Sequence, residues 1–311
     1  MYLRRKQNKD IIKSKIKRNI LGWLIMLIPI VLFIFFVWYP ILFNIVLSFF
    51  NNEKFEQFVG FNNYVAIFKD EVFICALKNT FLYIFWSLII GFLAPIIIGF
   101  LLSECVHAKG FARVCIYLPC MVSGMAVVFL FKSLFGSNSW DVVNVILHNY
   151  FGVDKAIDWT SSPKLAIPVI IIAMTWRGAG GTALIYLSNF QQIDNSIYEA
   201  ARIDGCPPGR RFTRLTLPIM KSTILMLLIL QIISVFQVFY EPMVIAGSDN
   251  KNAISLMLLA YDYAYVVQNS NNQFQYAKSA ATSVILALII LVCTILYFGL
   301  TKLLEKKGDN K

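Results

Sequence analysis

Six long stretches of apolar residues, separated by shorter polar ones, divide the chain. Five contain no charged residue, and the sixth is interrupted only by Arg177. About 20 apolar residues cross a hydrocarbon layer of roughly 30 Å as a helix, so each run can span a membrane. A β-barrel is excluded because barrel strands alternate between apolar and polar residues. The predicted fold is all-α with six transmembrane helices, over Ile20–Phe50, Asn79–Ser103, Val114–Phe131, Leu165–Gln192, Ser222–Tyr240 and Ser279–Thr301.

Composition supports a lipid environment. Of the 311 residues 58% are hydrophobic and only 14% are charged, against about 25% charged in average soluble domains. The longest loop, Glu241–Lys278, has 38 residues, too few for a soluble domain. We therefore expect one six-helix membrane domain over 20–301, flanked by a basic tail at 1–19 and a short tail at 302–311.

The distribution of charge predicts the orientation. The two tails and the loops 104–113 and 193–221 together hold 19 Lys and Arg against 7 acids, whereas the alternate loops hold 8 against 10. Basic loops stay on the cytoplasmic side, so both termini are predicted to be cytoplasmic. The net charge of +11 then reflects topology and contact with anionic lipid headgroups. A nucleic-acid partner is not expected.

Residues suited to catalysis or to metal binding are scarce. The two histidines, His107 and His148, are predicted to lie on opposite sides of the membrane. No sequence motif for a phosphate-binding loop, a serine nucleophile or a zinc helix is present. We therefore expect a protein that is not an enzyme and that binds no cofactor itself.

The most informative polar segment is the predicted cytoplasmic loop 193–221. Ile197, Ala200, Ala201 and Ile203 give residues 195–203 an apolar stripe at helical spacing, and Asp194 or Ser196 suits the start of a helix. Gly205 suits its end, and Pro207 and Pro208 prevent its continuation. A basic stretch then leads into the fifth span at Pro218. This short helix is either a knob that docks into a partner's groove or a plain interfacial helix.

These residues resemble the EAA motif of the membrane subunits of bacterial ABC importers that depend on a binding protein. The matching positions are Glu199, Ala200, Ala201, Asp204, Gly205, Phe212, Leu217 and Pro218. Segments 58–80 and 274–281 are also similar to segments of the first permease subunit of maltose and glycerol-phosphate importers. The resemblance implies the type I importer permease fold. It also implies that Glu199, Ala200, Ala201, Asp204, Gly205 and Pro218 contact an ATPase subunit.

The form Glu-Ala-Ala followed by Asp-Gly resembles the carbohydrate branch of the family. That resemblance implies import of an oligosaccharide by alternating access in a bacterial cytoplasmic membrane. The implied partners are a second related permease, two copies of an ATPase that uses ATP and Mg²⁺, and an extracytoplasmic sugar-binding protein. The alternatives are an ABC permease for amino acids or peptides and an ion-coupled secondary transporter.

A substrate pathway is expected near the centre of the fourth and fifth spans. The resemblance implies that Met174, Arg177, Gly178, Gly181, Gln231 and Ser234 line it. Independently, Gln231, Ser234, Gln237 and Glu241 fall within about 120° of one helix face at 3.6 residues per turn. The glycine cluster 178–181 is interpreted as a kink or a close helix contact.

Arg177 stands inside a membrane span, where a charge is costly enough to indicate a function. A guanidinium favours carboxylates through paired hydrogen bonds. One hypothesis is therefore an acidic oligosaccharide, and the alternative is that Arg177 pairs internally with an acid or with backbone carbonyls. Trp176 and Tyr186 either stack on sugar rings or pack against neighbouring helices.

Overall fold

This computed structural model describes residue 19 and residues 22–105, 108–266 and 275–308. His107, nearly all of the basic tail and residues 309–311 lie outside that part. Within it the chain is helical, with one isolated β-bridge between Phe50 and Phe58. In chain order the helices are α1 (Gly22–Leu47), α2 (Asn62–Phe68), α3 (Glu71–Glu104), α4 (Lys109–Met121), α5 (Gly124–Leu134), α6 (Val142–Phe151), α7 (Ala166–Gln192), α8 (Asn195–Ile203), α9 (Gly209–Ile219), α10 (Lys221–Phe236), α11 (Tyr240–Ile245), α12 (Leu256–Tyr265) and α13 (Tyr276–Gly308).

Four helices are each long and apolar enough to cross a membrane, namely α1, α3, α7 and the part of α13 up to Lys302. Two further candidate spans are pairs of helices that meet at a bend: α4 and α5 meet at 93°, and α9 and α10 at 78°. Counting each pair as one span gives the six that the hydropathy pattern predicted. The prediction of one helix per run was wrong for the third run, Val114–Phe131, which is divided between α4 and α5. The fifth run, Ser222–Tyr240, begins after the 78° bend, and its residues 222–236 lie in the single helix α10.

Local backbone explains the first of the two bends. Pro119 lies within the last turn of α4, and Val122 and Ser123 adopt extended conformations before α5 begins at Gly124. Pro has no backbone N–H and weakens the turn around it. The second bend falls at Met220, so Pro218 lies before it and α10 begins at Lys221, whereas the sequence predicted that the fifth span starts at Pro218.

The first helix projects its apolar side chains outward along its length. The most hydrophobic 18-residue window of α1 has no buried residue, and Phe36 is 75% exposed. A row of large apolar side chains in water would be unfavourable, so lipid or another membrane protein covers this helix. The buried apolar residues of the other helices form three clusters, and α7 contributes to two of them.

Helix α7 is packed at very short distance against α3 and α4. A Cβ atom built on Gly180 would stand 2.1 Å from the carbonyl oxygen of Ile116 in α4. One built on Gly99 of α3 would stand 2.9 Å from the carbonyl oxygen of Ala183. Small residues let helix backbones approach in this way within membranes. Within the glycine cluster of α7, Gly180 thus forms a close helix contact, and the helix runs unbroken through the cluster.

We expect Gly180→Ala to lower the stability of the detergent-solubilised protein by about 1–3 kcal/mol, because the new methyl group overlaps the backbone of α4. The matched control is Gly178→Ala in the same helix, where a Cβ would meet no atom within 4 Å. That control should leave stability unchanged or raise it. Thermal unfolding of the two variants measures the difference, and equal melting temperatures would contradict this packing.

Candidate functional site

A polar cavity of about 570 Å³ lies between α3, α4, α7, α10 and α11. Seven of the eight predicted pathway residues line it. Its full lining is Gly91, Pro95, Cys120, Met174, Thr175, Arg177, Gly178, Ala179, Thr182, Gln231, Ser234, Gln237, Tyr240 and Glu241. The structure therefore brings together the two sets of residues that the sequence connected by separate arguments.

Arg177 extends from the middle of α7 towards the bend between α4 and α5. Its Nη1 donates a hydrogen bond to the hydroxyl oxygen of Tyr240. Gly124, the first residue of α5, makes room for this contact: a Cβ there would stand 2.7 Å from the Tyr240 hydroxyl and 3.1 Å from Cζ of Arg177. The bend in the third span is thus where the guanidinium is accommodated.

The partner of Arg177 differs from both expected ones, an acid or backbone carbonyls. Glu241 lies next in the chain to Tyr240 and is only 8% exposed. Its carboxylate interacts with the neutral hydroxyl of Tyr240 and with the charge of Arg177, but the hydrogen bond of the guanidinium goes to the phenol. Tyr240 is the residue that sequence reasoning missed. Its place beside Glu241, at the end of the fifth apolar run, was the available signal.

The polar residues of the fifth span reach the cavity by a different route from the one predicted. Helix α10 ends at Phe236, so Gln237 and Glu241 lie beyond it and do not share one helix face with Gln231 and Ser234. The chain turns and begins α11 at Tyr240, which returns Glu241 to the same space.

On the side of the cavity opposite Arg177, Gln231 joins α10 to α3. Its Nε2 donates to Oγ of Ser87 at 2.7 Å. Ser87 begins a π-helical turn within α3 that ends at Gly91. A Cβ on Gly91 would stand 2.8 Å from Nε2 of Gln231. The irregular turn therefore lets the amide approach α3, and π-helical turns are frequent at functional sites.

Three predicted residues of α7 do not contact the cavity. The backbone N–H of Gly181 donates to Sγ of Cys120 at 3.3 Å, so this glycine faces α4. Tyr186 is fully buried in a core cluster, and Trp176 packs near Phe131 with ring centres 5.8 Å apart. Both aromatic residues pack against neighbouring helices, and neither lines the cavity.

At one end of the bundle, α8 follows directly after α7. The structure gives it the predicted bounds, Asn195–Ile203. Oδ1 of Asp194 accepts a hydrogen bond from the backbone N–H of Ser196 at 2.9 Å, and this bond lowers the pKa of the Asp194 carboxyl. Gly205 has a φ of +70°, a conformation suited to glycine, and ends the helix as predicted.

One side of α8 faces the bundle and the other faces outward. The hydroxyls of Tyr198 and Thr216 share a hydrogen bond at 2.9 Å, and Ala201 is buried. Glu199 and Ala200 are exposed, as are Asp204 and Gly205. Ile203 is 86% exposed. The predicted contact residues thus lie mostly on an outward surface, whereas Pro218 lies at the end of α9.

Helix α9, which follows α8 in the chain, packs against the bundle. The rings of Phe212 and Phe100 lie 4.4 Å apart between centres, and Phe190 of α7 is also near Phe212. Arg211 is 8% exposed, yet its Nε and Nη1 meet no hydrogen-bond acceptor in the part of the chain that the structure describes. The segment therefore combines firm packing with an unsatisfied buried cation.

The structure has helices of membrane-spanning length around a polar cavity, and α8 lies at one end of the bundle with an exposed face. This arrangement is typical of a multi-pass transport component. A family model described as "Binding-protein-dependent transport system inner membrane component" matches residues 107–309. The chain belongs to this family.

Several curated proteins resemble it over nearly their full length. A lactose transport system permease protein of Rhizobium radiobacter is 34% identical, over 92% of this chain and 96% of that protein. An arabinooligosaccharides transport system permease protein of Bacillus subtilis is 29% identical, over 90% and 88%. A polygalacturonan/rhamnogalacturonan transport system permease protein of Bacillus subtilis is 28% identical, over 99% and 95%.

Two solved structures share the fold. One is a bacterial ABC transporter involved in the import of the acidic polysaccharide alginate, with a TM-score of 0.79 and 25% identity over 93% of this chain and 97% of that chain. The other is a bacterial alginate ABC transporter in complex with a pentasaccharide-bound periplasmic protein, with a TM-score of 0.78 and 27% identity over 91% and 94%. These likenesses agree with the predicted type I importer permease fold.

Proposed function

We propose that this chain is the membrane permease subunit of an ATP-driven oligosaccharide importer that works by alternating access. The observation that carries the proposal is that one helix, α7, contributes Arg177 to the cavity and leads directly into the outward-facing α8. The names of the similar permeases, for lactose, arabinooligosaccharides and polygalacturonan, support a sugar as the cargo.

The partners follow from this role. A second related permease completes the pathway, two copies of an ATPase bind ATP and Mg²⁺, and an extracytoplasmic sugar-binding protein delivers the cargo. The complex lies in a bacterial cytoplasmic membrane with both termini of this chain inside. At one end of the bundle, α8 lies near the end of α3 at Glu104. At the other end, Phe73 of α3 packs with Leu258 of α12. This arrangement is consistent with that orientation. This chain itself binds no nucleotide.

Coupling to the ATPase runs through α8. Its exposed Glu199 and Ile203 form a surface that an ATPase groove can receive. The aromatic contacts of Phe212 with Phe100 and Phe190 hold the segment against α3 and α7. A displacement of α8 is therefore transmitted to the helices that line the cavity. Nε and Nη1 of the buried Arg211 have no hydrogen-bond partner among the described residues, which supports a role for this segment at an interface, since such a buried charge is costly alone.

The cavity chemistry favours a sugar that carries a carboxylate. Arg177 is the basic residue of the lining and Glu241 is its acid. The guanidinium lies against Gly124 at the N-terminal end of α5, where a helix dipole also favours negative charge. Gln231, Ser234 and Thr182 offer neutral hydrogen-bonding groups for sugar hydroxyls. The two structural relatives handle alginate, an acidic polysaccharide.

Reversing the charge at Glu199 tests the coupling surface. Glu199→Lys should abolish sugar-stimulated ATP hydrolysis and reduce co-purification of the ATPase at least about tenfold, since a like charge across a docked surface costs several kcal/mol. Glu104→Lys is the matched control, because Glu104 is exposed at the same end of the bundle but outside α8. If Glu199→Lys retains both properties, α8 is not the coupling helix.

Arg177 variants test the substrate class. In proteoliposomes of the complete transporter, Arg177→Gln should lower uptake of a uronate oligosaccharide about 10- to 100-fold and that of a neutral one much less, because only the carboxylate loses its charged partner. Arg177→Lys keeps the charge without the planar guanidinium and should retain part of the preference. Equal losses for the charged and neutral sugars, or no loss, would contradict an acidic cargo.

A further inference from the structure

A second cavity, of about 280 Å³, lies at the end of the bundle opposite α8. The start of α3, the loop before α12, α12 itself and the start of α13 enclose it. On the topology proposed above, this end faces the outside of the cell. The charged residues that line it are Asp70, Asp249, Lys251, Asp262 and Lys278.

Asp262 is the unusual member of this group. Its side chain is 4% exposed, and Oδ1 has no hydrogen-bond partner within the described ranges of the chain. Burial, and to a lesser extent the charge of Asp249, raises the pKa of Asp262 to about 6. At neutral pH the carboxyl group of Asp262 is therefore largely ionised and buried, and no ion pair joins it to another described residue, an unfavourable arrangement in an isolated chain.

The surrounding groups do not neutralise Asp262. Asp70 is already occupied: Oδ1 accepts from the backbone N–H of Val72, and Oδ2 accepts from the Tyr263 hydroxyl at 2.6 Å. Lys251 and Lys278 also line the cavity, but neither lysine contributes to the shift in the pKa of Asp262. The ammonium of Lys278 stands over the ring of Tyr263, 5.8 Å from its centre. Residues 267–274, which connect α12 to α13, contain no charged side chain in the sequence. The two carboxylates left to bind a cation are those of Asp262 and Asp249.

We propose that this cavity receives a lysine or arginine side chain of the extracytoplasmic sugar-binding protein, with Asp262 and Asp249 as its carboxylate partners. This inference rests on the proposed function, which supplies such a partner at this end of the bundle. Among the described residues, no three His, Cys, Asp or Glu side chains stand close enough to hold a metal ion. A long basic side chain that enters from a docked protein supplies both the charge and the donor that Oδ1 lacks.

The test is the affinity of the assembled transporter for its sugar-loaded binding protein, measured in nanodiscs at two salt concentrations. Asp262→Asn keeps the size of the side chain but removes its charge, and it should weaken binding about tenfold or more. Asp154→Asn is the matched control, an exposed aspartate at the same predicted side and outside the cavity. It should change the affinity less than about twofold.

Thermal unfolding without the binding protein shows whether the variant folds. An acid whose pKa is raised in the folded state stabilises that state at low pH and loses this contribution as pH rises through about 6. Asp262→Asn should therefore match the wild type near pH 4 and be more stable near pH 8. If Asp262→Asn is more stable alone but binds the binding protein more weakly, the loss of affinity does not come from misfolding, and the inference is supported.

A double-mutant cycle identifies the partner group. Each basic residue on the docking face of the binding protein is replaced by Gln, and the correct one should weaken binding to the wild type but not to Asp262→Asn. An unchanged affinity of Asp262→Asn, or a loss equal to that of Asp154→Asn, would overturn the inference and leave the proposed function intact. Failure of the wild-type transporter to bind any sugar-binding protein would overturn the proposed function.

Discussion

The structure depends on placing one guanidinium inside a helix bundle that lipid surrounds. Arginine at the centre of a membrane helix costs about 2.5–3.5 kcal/mol on the scale derived from membrane insertion. The chain meets this cost with three features that converge on Arg177: the bend between α4 and α5, the absence of a side chain at Gly124, and the hydroxyl of Tyr240. Together they make a polar cavity where apolar packing would otherwise be expected.

Helix α7, which bears Arg177, also connects the cavity to α8. At 1.5 Å per residue, the 27 residues of α7 extend over about 40 Å. Close contacts at Gly180 of α7 and at Gly99 of α3 pack α7 tightly against α4 and α3. The chain turns into α8 within two residues of its end. A protein that binds α8 and shifts it can therefore change the shape of the cavity without contacting the cargo.

Sequence patterns were sufficient where local chemistry decides the structure. The bounds of α8, the cap at Asp194 and the turn at Gly205 follow from side-chain and backbone preferences over a few residues. The positions of the apolar runs were also predictable, because hydrophobicity needs no knowledge of neighbours. The gathering of Met174, Arg177 and Gln231 in one cavity was predicted from the resemblance to importer permeases.

What the sequence did not reveal depends on tertiary contacts. Hydropathy is insensitive to backbone direction, so the 93° and 78° bends were missed. The role of Tyr240 depends on a partner 63 positions away, and Gly181 proved to face Cys120 because the rotation of α7 is set by its packing. The face shared by Gln231 and Glu241 was wrong because α10 ends before Gln237, although the chain returns Glu241 to the same cavity.

The central claim is that this chain transports only when a separate ATPase acts on α8. The most direct measurement is sugar uptake into proteoliposomes that contain the chain and its partner permease, with and without the ATPase, ATP and the sugar-binding protein. The account predicts uptake against a gradient only when all are present. Concentrative uptake by the membrane subunits alone, driven by a proton or sodium gradient, would contradict it.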